Sequence, residues 1–186
     1  MNPFEIISKY YNEDSELYRI LINHSKLVAH KALEIAEKAG QFKPDLDFIE
    51  KAAMVHDIGI FLTDNPSISC FGGFPYLCHG YLGREILERE GFLDYGLVCE
   101  RHVGVGISAE EIKRKGLPLP PRDMIPATVE EEIVCLADKF FSKKSKQEKP
   151  LGEIEKEIVK NGREKKDKLE ELVKKFSIKG DLHLTR

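Results

Sequence analysis

His24 falls one helical turn from Ile20, Leu21, Leu27 and Val28, inside a run of apolar residues spaced by three and four. His56 and Asp57 follow Ala52 and Ala53 in a similar setting, and Asp138 stands among Val134, Leu136, Ala137, Phe140 and Phe141. A carboxylate buried alone is costly, so it must be paired, protonated or bound to a metal. Taken singly, each residue has an ordinary explanation: a hydrogen-bonded core histidine, or an aspartate that accepts bonds from a loop. Two carboxylates and two imidazoles on three apolar faces have a common one, convergence on a cation inside a helical bundle. Mixed imidazole and carboxylate donors suit iron, manganese, cobalt or zinc.

The ordered set His24, then His56-Asp57-Ile58-Gly59, then Asp138 within Cys135-Leu136-Ala137-Asp138-Lys139 resembles the H…HD…D signature of the HD-domain phosphohydrolase superfamily. The resemblance runs from about Leu17 to Phe141. It implies that His24, His56, Asp57 and Asp138 hold one metal. His79 and His102 lie between the doublet and the last aspartate. This is similar to the two-metal subgroup that includes bacterial HD-type hydrolases of diadenosine tetraphosphate, in which the doublet's aspartate bridges two ions. The resemblance therefore implies two divalent cations, iron or manganese favoured, with zinc, cobalt or nickel also suitable. Two ions about 3.5–4 Å apart would share an activated water and offset phosphoryl charge. In that scheme Asp57 and Lys139 are the catalytic candidates, and Lys139, Arg101, Arg84 and Lys26 are candidates for holding the substrate's phosphates. The chain departs from two other branches. Gly80-Tyr81-Leu82 is only an echo of the Gly-Tyr-Pro motif of the cyclic-dinucleotide phosphodiesterases, and of the acidic residues expected after the doublet in alarmone hydrolases only Asp64 is near.

The elements that must position these residues read as helices. Leu17 to Ala36 predicts a long one, stopped at Gly40. Asp47 with Glu50 resembles a capping box for a second helix, whose apolar face runs to Ile60 and whose last turn Gly59 weakens. Leu62 to Leu77 holds Pro66, Gly72, Gly73 and Pro75 and predicts a loop. Helices follow over His79–Glu90 and Leu93–His102, then a small one opened by Ser108 and Glu111, then one opened by Thr128 and Glu131. A proline-rich loop, Pro118 to Pro126, carries Arg122 and could serve as a lid or a spacer. A charged helix interrupted near Asn161 and Gly162 ends the pattern. The fold class expected is all-α, an irregular bundle of HD-domain type with a C-terminal helical extension. Its parts are residues 1–142, an extension over 143–178, and a frayed tail over 179–186.

Composition narrows the function. The net charge of -3 does not suit a general polyanion binder. Lys143 to Phe176 nevertheless holds 12 Lys/Arg against 8 Asp/Glu, which reads as a solvated basic helix behind an acidic body. Cys70, Cys78, Cys99 and Cys135 form no C-x-x-C pair, and Cys99 and Cys135 read as buried thiols. With no leader-like start and no long apolar run, a cytoplasmic protein with no membrane partner is expected. There is no P-loop, G-x-S-x-G or H-E-x-x-H, and Gly104-Val105-Gly106 is too short for a dinucleotide fingerprint. The leading expectation is an enzyme cleaving a phosphoester or phosphoanhydride of a nucleotide-like small molecule, with nucleic acid an unlikely substrate and oligomerisation open. The alternative is a non-catalytic, metal-containing helical module that binds a nucleotide or a partner.

Overall fold

The computed structural model describes residues 1–178; the tail expected over 179–186 lies outside them. Among the described residues there are nine helices. They are α1 (Pro3–Ser8), α2 (Glu16–Lys38), α3 (Leu46–Val55), α4 (His79–Arg89), α5 (Leu93–Arg101), α6 (Ala109–Lys115), α7 (Val129–Lys139), α8 (Leu151–Ile158) and α9 (Arg163–Lys175). None of them is long and apolar enough to cross a membrane.

Local chemistry explains most boundaries. Ser15 caps α2 by accepting the Tyr18 N–H, with Glu16 in the first turn and Lys38 in the last, signs that favour the helix dipole. Ser108 and Thr128 cap α6 and α7 in the same way. Glu131 does not close a reciprocal box on Thr128; it accepts from the Ala127 N–H and from Arg101. Left-handed Gly116 ends α6.

Three boundaries differ from the sequence reading. The cap of α3 is Asp45, which accepts from the Phe48 N–H; Asp47 sits inside the first turn, paired with Lys51. The same helix stops at Val55, so the apolar run through Ile60 continues as a tight turn and a short 3-10 segment. Helix α2 ends at Lys38 before Gly40, which opens a further 3-10 turn.

The segment Leu62 to Leu77 is more than a loop. It forms a small sheet of β1 (Thr63–Asn65), β2 (Cys70–Phe71) and β3 (Phe74–Pro75), in the order β2-β1-β3, with β1–β2 antiparallel and β1–β3 parallel. Strands of two and three residues give too short an alternation to be seen by period. Helix α1 was likewise not evident, since its six residues show barely one and a half turns.

One buried cluster joins Leu21, Val28 and Ile35 of α2, Ile49 and Ala52 of α3, and Ile133 and Leu136 of α7. Ile154, Leu169, Leu172 and Phe176 from α8 and the α9 region lie in the same cluster. A smaller one, Ile107, Ile112 and Met124, sits under the proline-rich loop. Helix α2 lies against α3 and α7, and α4 against α5. These two layers meet at the turn after α3. There Gly59, with φ -83, needs space rather than unusual backbone freedom. A Cβ on it would stand 2.3 Å from the His79 carbonyl oxygen and 2.5 Å from the Gly83 nitrogen.

Candidate metal centre

Five elements deliver six donor residues to one buried place. His24 comes from the middle of α2 and Asp138 from the last turn of α7. His56 is the C-cap of α3 and Asp57 follows in the turn, so the doublet sits just beyond a helix rather than on it. His79 opens α4 and His102 caps the end of α5. The close approach at Gly59 brings the doublet's turn against the start of α4.

Asp57 is fully buried and presents one oxygen to each side. Its Oδ2 lies 3.1 Å from His56 Nε2 and 3.3 Å from His24 Nε2. Its Oδ1 lies 3.4 Å from His79 Nε2 and 3.6 Å from His102 Nε2. Asp138 Oδ1 closes the first group, 2.9 Å from His24 Nε2 and 3.4 Å from His56 Nε2. Donors each bound to one ion at 2.0–2.2 Å stand about 3–4 Å apart, the spacing seen in both groups.

Donor chemistry tests whether a cation fits. His56 Nδ1 is 2.6 Å from the Ala53 carbonyl, His79 Nδ1 2.6 Å from that of Tyr76, and His102 Nδ1 2.7 Å from that of Cys99. Each Nδ1 therefore donates and turns Nε2 toward the centre, where the Nε2 lone pair is free in neutral His79 and His102 and becomes free in His56 once its second proton is lost. The Nε2 atoms of His79 and His102 are 3.1 Å apart. Two lone pairs at that distance repel unless a cation lies between them. Buried His56 Nε2 and Asp57 Oδ1 make no hydrogen bond, and Asp57 Oδ2 makes none of proper geometry but has the Lys143 ammonium beside it. Buried polar atoms left without a hydrogen bond are rare unless an ion or water satisfies them. The residues fit divalent cations.

The electrostatics divide along Asp57. Burial pushes the His56 imidazole down, but Asp57 and Asp138 outweigh it and hold its pKa at about 9. Burial lowers His79 to about 3 and lowers His102 as well. For Asp57, burial acts upward, yet the Lys143 ammonium, then His56, bring its carboxyl well below the usual range. Asp138 is lowered in the same way, burial being outweighed chiefly by Lys139.

The basic candidates separate clearly. Lys139 is at the centre, 2.6 Å from Asp138 Oδ2, and it also donates to the His102 carbonyl at 3.1 Å. It holds two donor residues in place. Three others have partners outside the donor set. Lys26 points to solvent over the Phe4 ring, because two residues beyond His24 is the opposite face of α2. Arg101 is committed to Glu131, at 2.8 and 3.0 Å, facing away from its neighbour His102. Arg84 is held by buried Glu100 at 2.5 Å. Glu100 also binds Arg122, so it ties the proline-rich loop down.

One residue escaped the sequence reading. Lys143 reaches back from the loop after α7, with its ammonium 2.6 Å from Asp57 Oδ2 and 5.6 Å from the centre of the Tyr76 ring. It opens the basic run Lys143-Lys144-Ser145-Lys146, which reads as a solvated segment. The available signal was its place five residues after Asp138, one turn and a bend past a candidate ligand.

Comparison with known proteins agrees with this picture. The HD-domain family profile matches residues 21–142, which include all six donors. An uncharacterized protein of Methanocaldococcus jannaschii is 33% identical over 146 residues, covering 76% of this chain and 79% of that one. A tRNA (cytidine(56)-2'-O)-methyltransferase of Thermoplasma volcanium is 36% identical over 123 residues, 66% of this chain. The same-named protein of Picrophilus torridus is 32% identical over 124 residues. The chain spans only about a third of the length of these two methyltransferases, 32% of each. No solved structure matches the chain. On the profile match over most of its length and the metal-fitting donor set, the chain belongs to the HD-domain family.

Proposed function

We propose that the protein is a metal-dependent phosphohydrolase with two divalent cations, one held by His24, His56, Asp57 and Asp138 and one by Asp57, His79 and His102. The observation that carries this reading is the division of Asp57, whose Oδ2 faces one donor group and whose Oδ1 faces the other. Bound cations would supply Lewis acidity that activates water and offsets phosphoryl charge. The protein's own residues prepare the place for it. Three backbone carbonyls fix the histidine tautomers, and Lys139 locks Asp138 against the His102 backbone.

Charge supports a phosphate as the target. The two carboxylates are already countered by the ammonium groups of Lys139 and Lys143. Divalent ions added to that balance leave the centre strongly cationic, which favours a polyanion.

The preferred substrate class is a nucleotide-like small molecule. A second reading is favoured by the relatives. Two of them are named as tRNA methyltransferases and carry the matched region within a chain about three times as long as the match. In that reading the phosphate belongs to an RNA. Phe71 and Phe74 on the small sheet, 77% and 44% exposed, offer faces on which bases could stack.

The test is phosphate release from a panel of nucleotides, dinucleotide polyphosphates and short RNAs with manganese-loaded protein. Turnover absent in an Asp57→Ala variant supports the reading, and which members are cleaved decides between the two substrate classes. No turnover above that control on any member contradicts it and favours a non-catalytic binding module.

A further inference from the structure

Lys143 stands in a place that a bound cation contests. Its ammonium is 2.6 Å from Asp57 Oδ2, the same oxygen that faces His24 and His56. A divalent ion on that oxygen repels an ammonium beside it, and the buried setting weakens screening. Lys143 therefore has to move when the ion binds. The loop that carries it shapes the nearest space, a cavity of about 110 Å³ lined in part by Asn23, His24, Ser142, Lys143, Lys144 and Lys146. That cavity touches the metal centre through His24. Its lining includes three lysines, two serines and an asparagine, and it has room for one phosphate-sized anion with a water or two.

We infer that Lys143 is a displaceable counter-charge: it neutralises Asp57 in the metal-free protein, and a cation at Asp57 drives it into the Ser142–Lys146 cavity, where with Lys144 and Lys146 it binds a terminal phosphate of the substrate. The inference rests on the metal centre of the proposed function and adds the phosphate subsite. Occupation of the centre thereby readies the site for its substrate, because the ammonium that guarded Asp57 becomes a phosphate ligand. A terminal phosphate, with more charge than an internal diester, is the group that three lysines favour.

Manganese(II) and inorganic phosphate are the probes, read by calorimetry without turnover. Metal-free wild-type protein is titrated with manganese, and the loaded protein is then titrated with phosphate. In Lys143→Met, manganese should bind roughly tenfold or more tightly, since its competitor is gone, while phosphate should bind the loaded protein roughly tenfold or more weakly. Unchanged or weaker manganese binding in a folded Lys143→Met protein overturns the inference, as does unchanged phosphate binding. Lys144→Ala/Lys146→Ala replaces two exposed side chains and leaves the fold intact. It should weaken phosphate binding and leave manganese binding unchanged. If Lys143→Met does not fold, full phosphate affinity in this double variant overturns the inference by itself. Manganese and phosphate binding as described, without turnover on any substrate, would remove the hydrolase reading and keep this one. Turnover that Lys143→Met leaves unaltered would do the reverse.

Discussion

Around Asp57 Oδ2 the charges are dense, with a second carboxylate, a histidine held near pKa 9 and two lysine ammonium groups within reach. Around Oδ1 there are two imidazoles that burial keeps neutral, each already turned by a carbonyl to face the centre. The first half carries its own substitute cations, a proton on His56 and the ammonium of Lys143. The second half carries none and holds two lone pairs in mutual repulsion. In the proposed two-cation arrangement, one carboxylate thus joins a group that must release cations to take a metal and a group that only has to receive one.

The largest effect should come from removing the link. Asp57→Asn takes the shared charge from both halves and leaves Lys143 without its partner. Phosphate release should fall to the level of the blank. The metal-free protein should lose about 3–5 kcal/mol in denaturant melts, as when one member of a buried ion pair is removed. Retention of one full metal equivalent would break the symmetry proposed for Asp57.

Acidity should separate the halves next. His56 has a raised pKa of about 9, so below that pH a metal must expel its proton. Affinity at the Oδ2 half should therefore climb up to roughly tenfold per pH unit from neutrality until about pH 9 and then level off. The His79–His102 half should show no such slope above pH 7, since its imidazoles are already neutral. Folding stability of the metal-free protein carries the same signs. The His56 contribution is complete below about pH 6.5 and is lost as pH rises through about 9. The His79 contribution is present above about pH 6.5 and is lost as pH falls toward about 3. Thermal melts of His56→Asn and His79→Asn against pH should flatten the alkaline and the acid limb respectively. Identical profiles would erase the distinction.

A smaller effect tests how the halves are held together. Gly59→Ala places a methyl against the His79 carbonyl and the Gly83 nitrogen, both backbone atoms. Stability should fall by about 1–3 kcal/mol, with metal affinity weakened in both halves because the turn and α4 must part. At the bottom of the scale, Lys26→Ala should leave turnover unchanged and stability within about 0.5 kcal/mol.

The sequence displayed the donors better than their supports. His24 and Asp138 stood out because a 3.6-residue period marks a buried face, and a polar residue on such a face is conspicuous. His79 and His102 lie at helix ends, where period carries little information, and came from the resemblance alone. Lys143 was missed because a lysine in a basic run has the composition of a solvated loop; only the backbone's return toward Asp57 makes it part of the centre. Arg101 was drawn to the site by its place beside His102, and Arg84 by its place one turn into the helix that His79 opens. In a helix, neighbours in sequence point about 100° apart, and each guanidinium found a buried glutamate instead. The small sheet was hidden for a related reason, since its strands are shorter than one full alternation.

The most direct measurement is anomalous diffraction from crystals of the protein grown with manganese. The account predicts two peaks, one on each side of the Asp57 carboxylate, with Lys143 withdrawn from Oδ2. A single peak, or two peaks that leave Asp57 bound to neither ion, would contradict it.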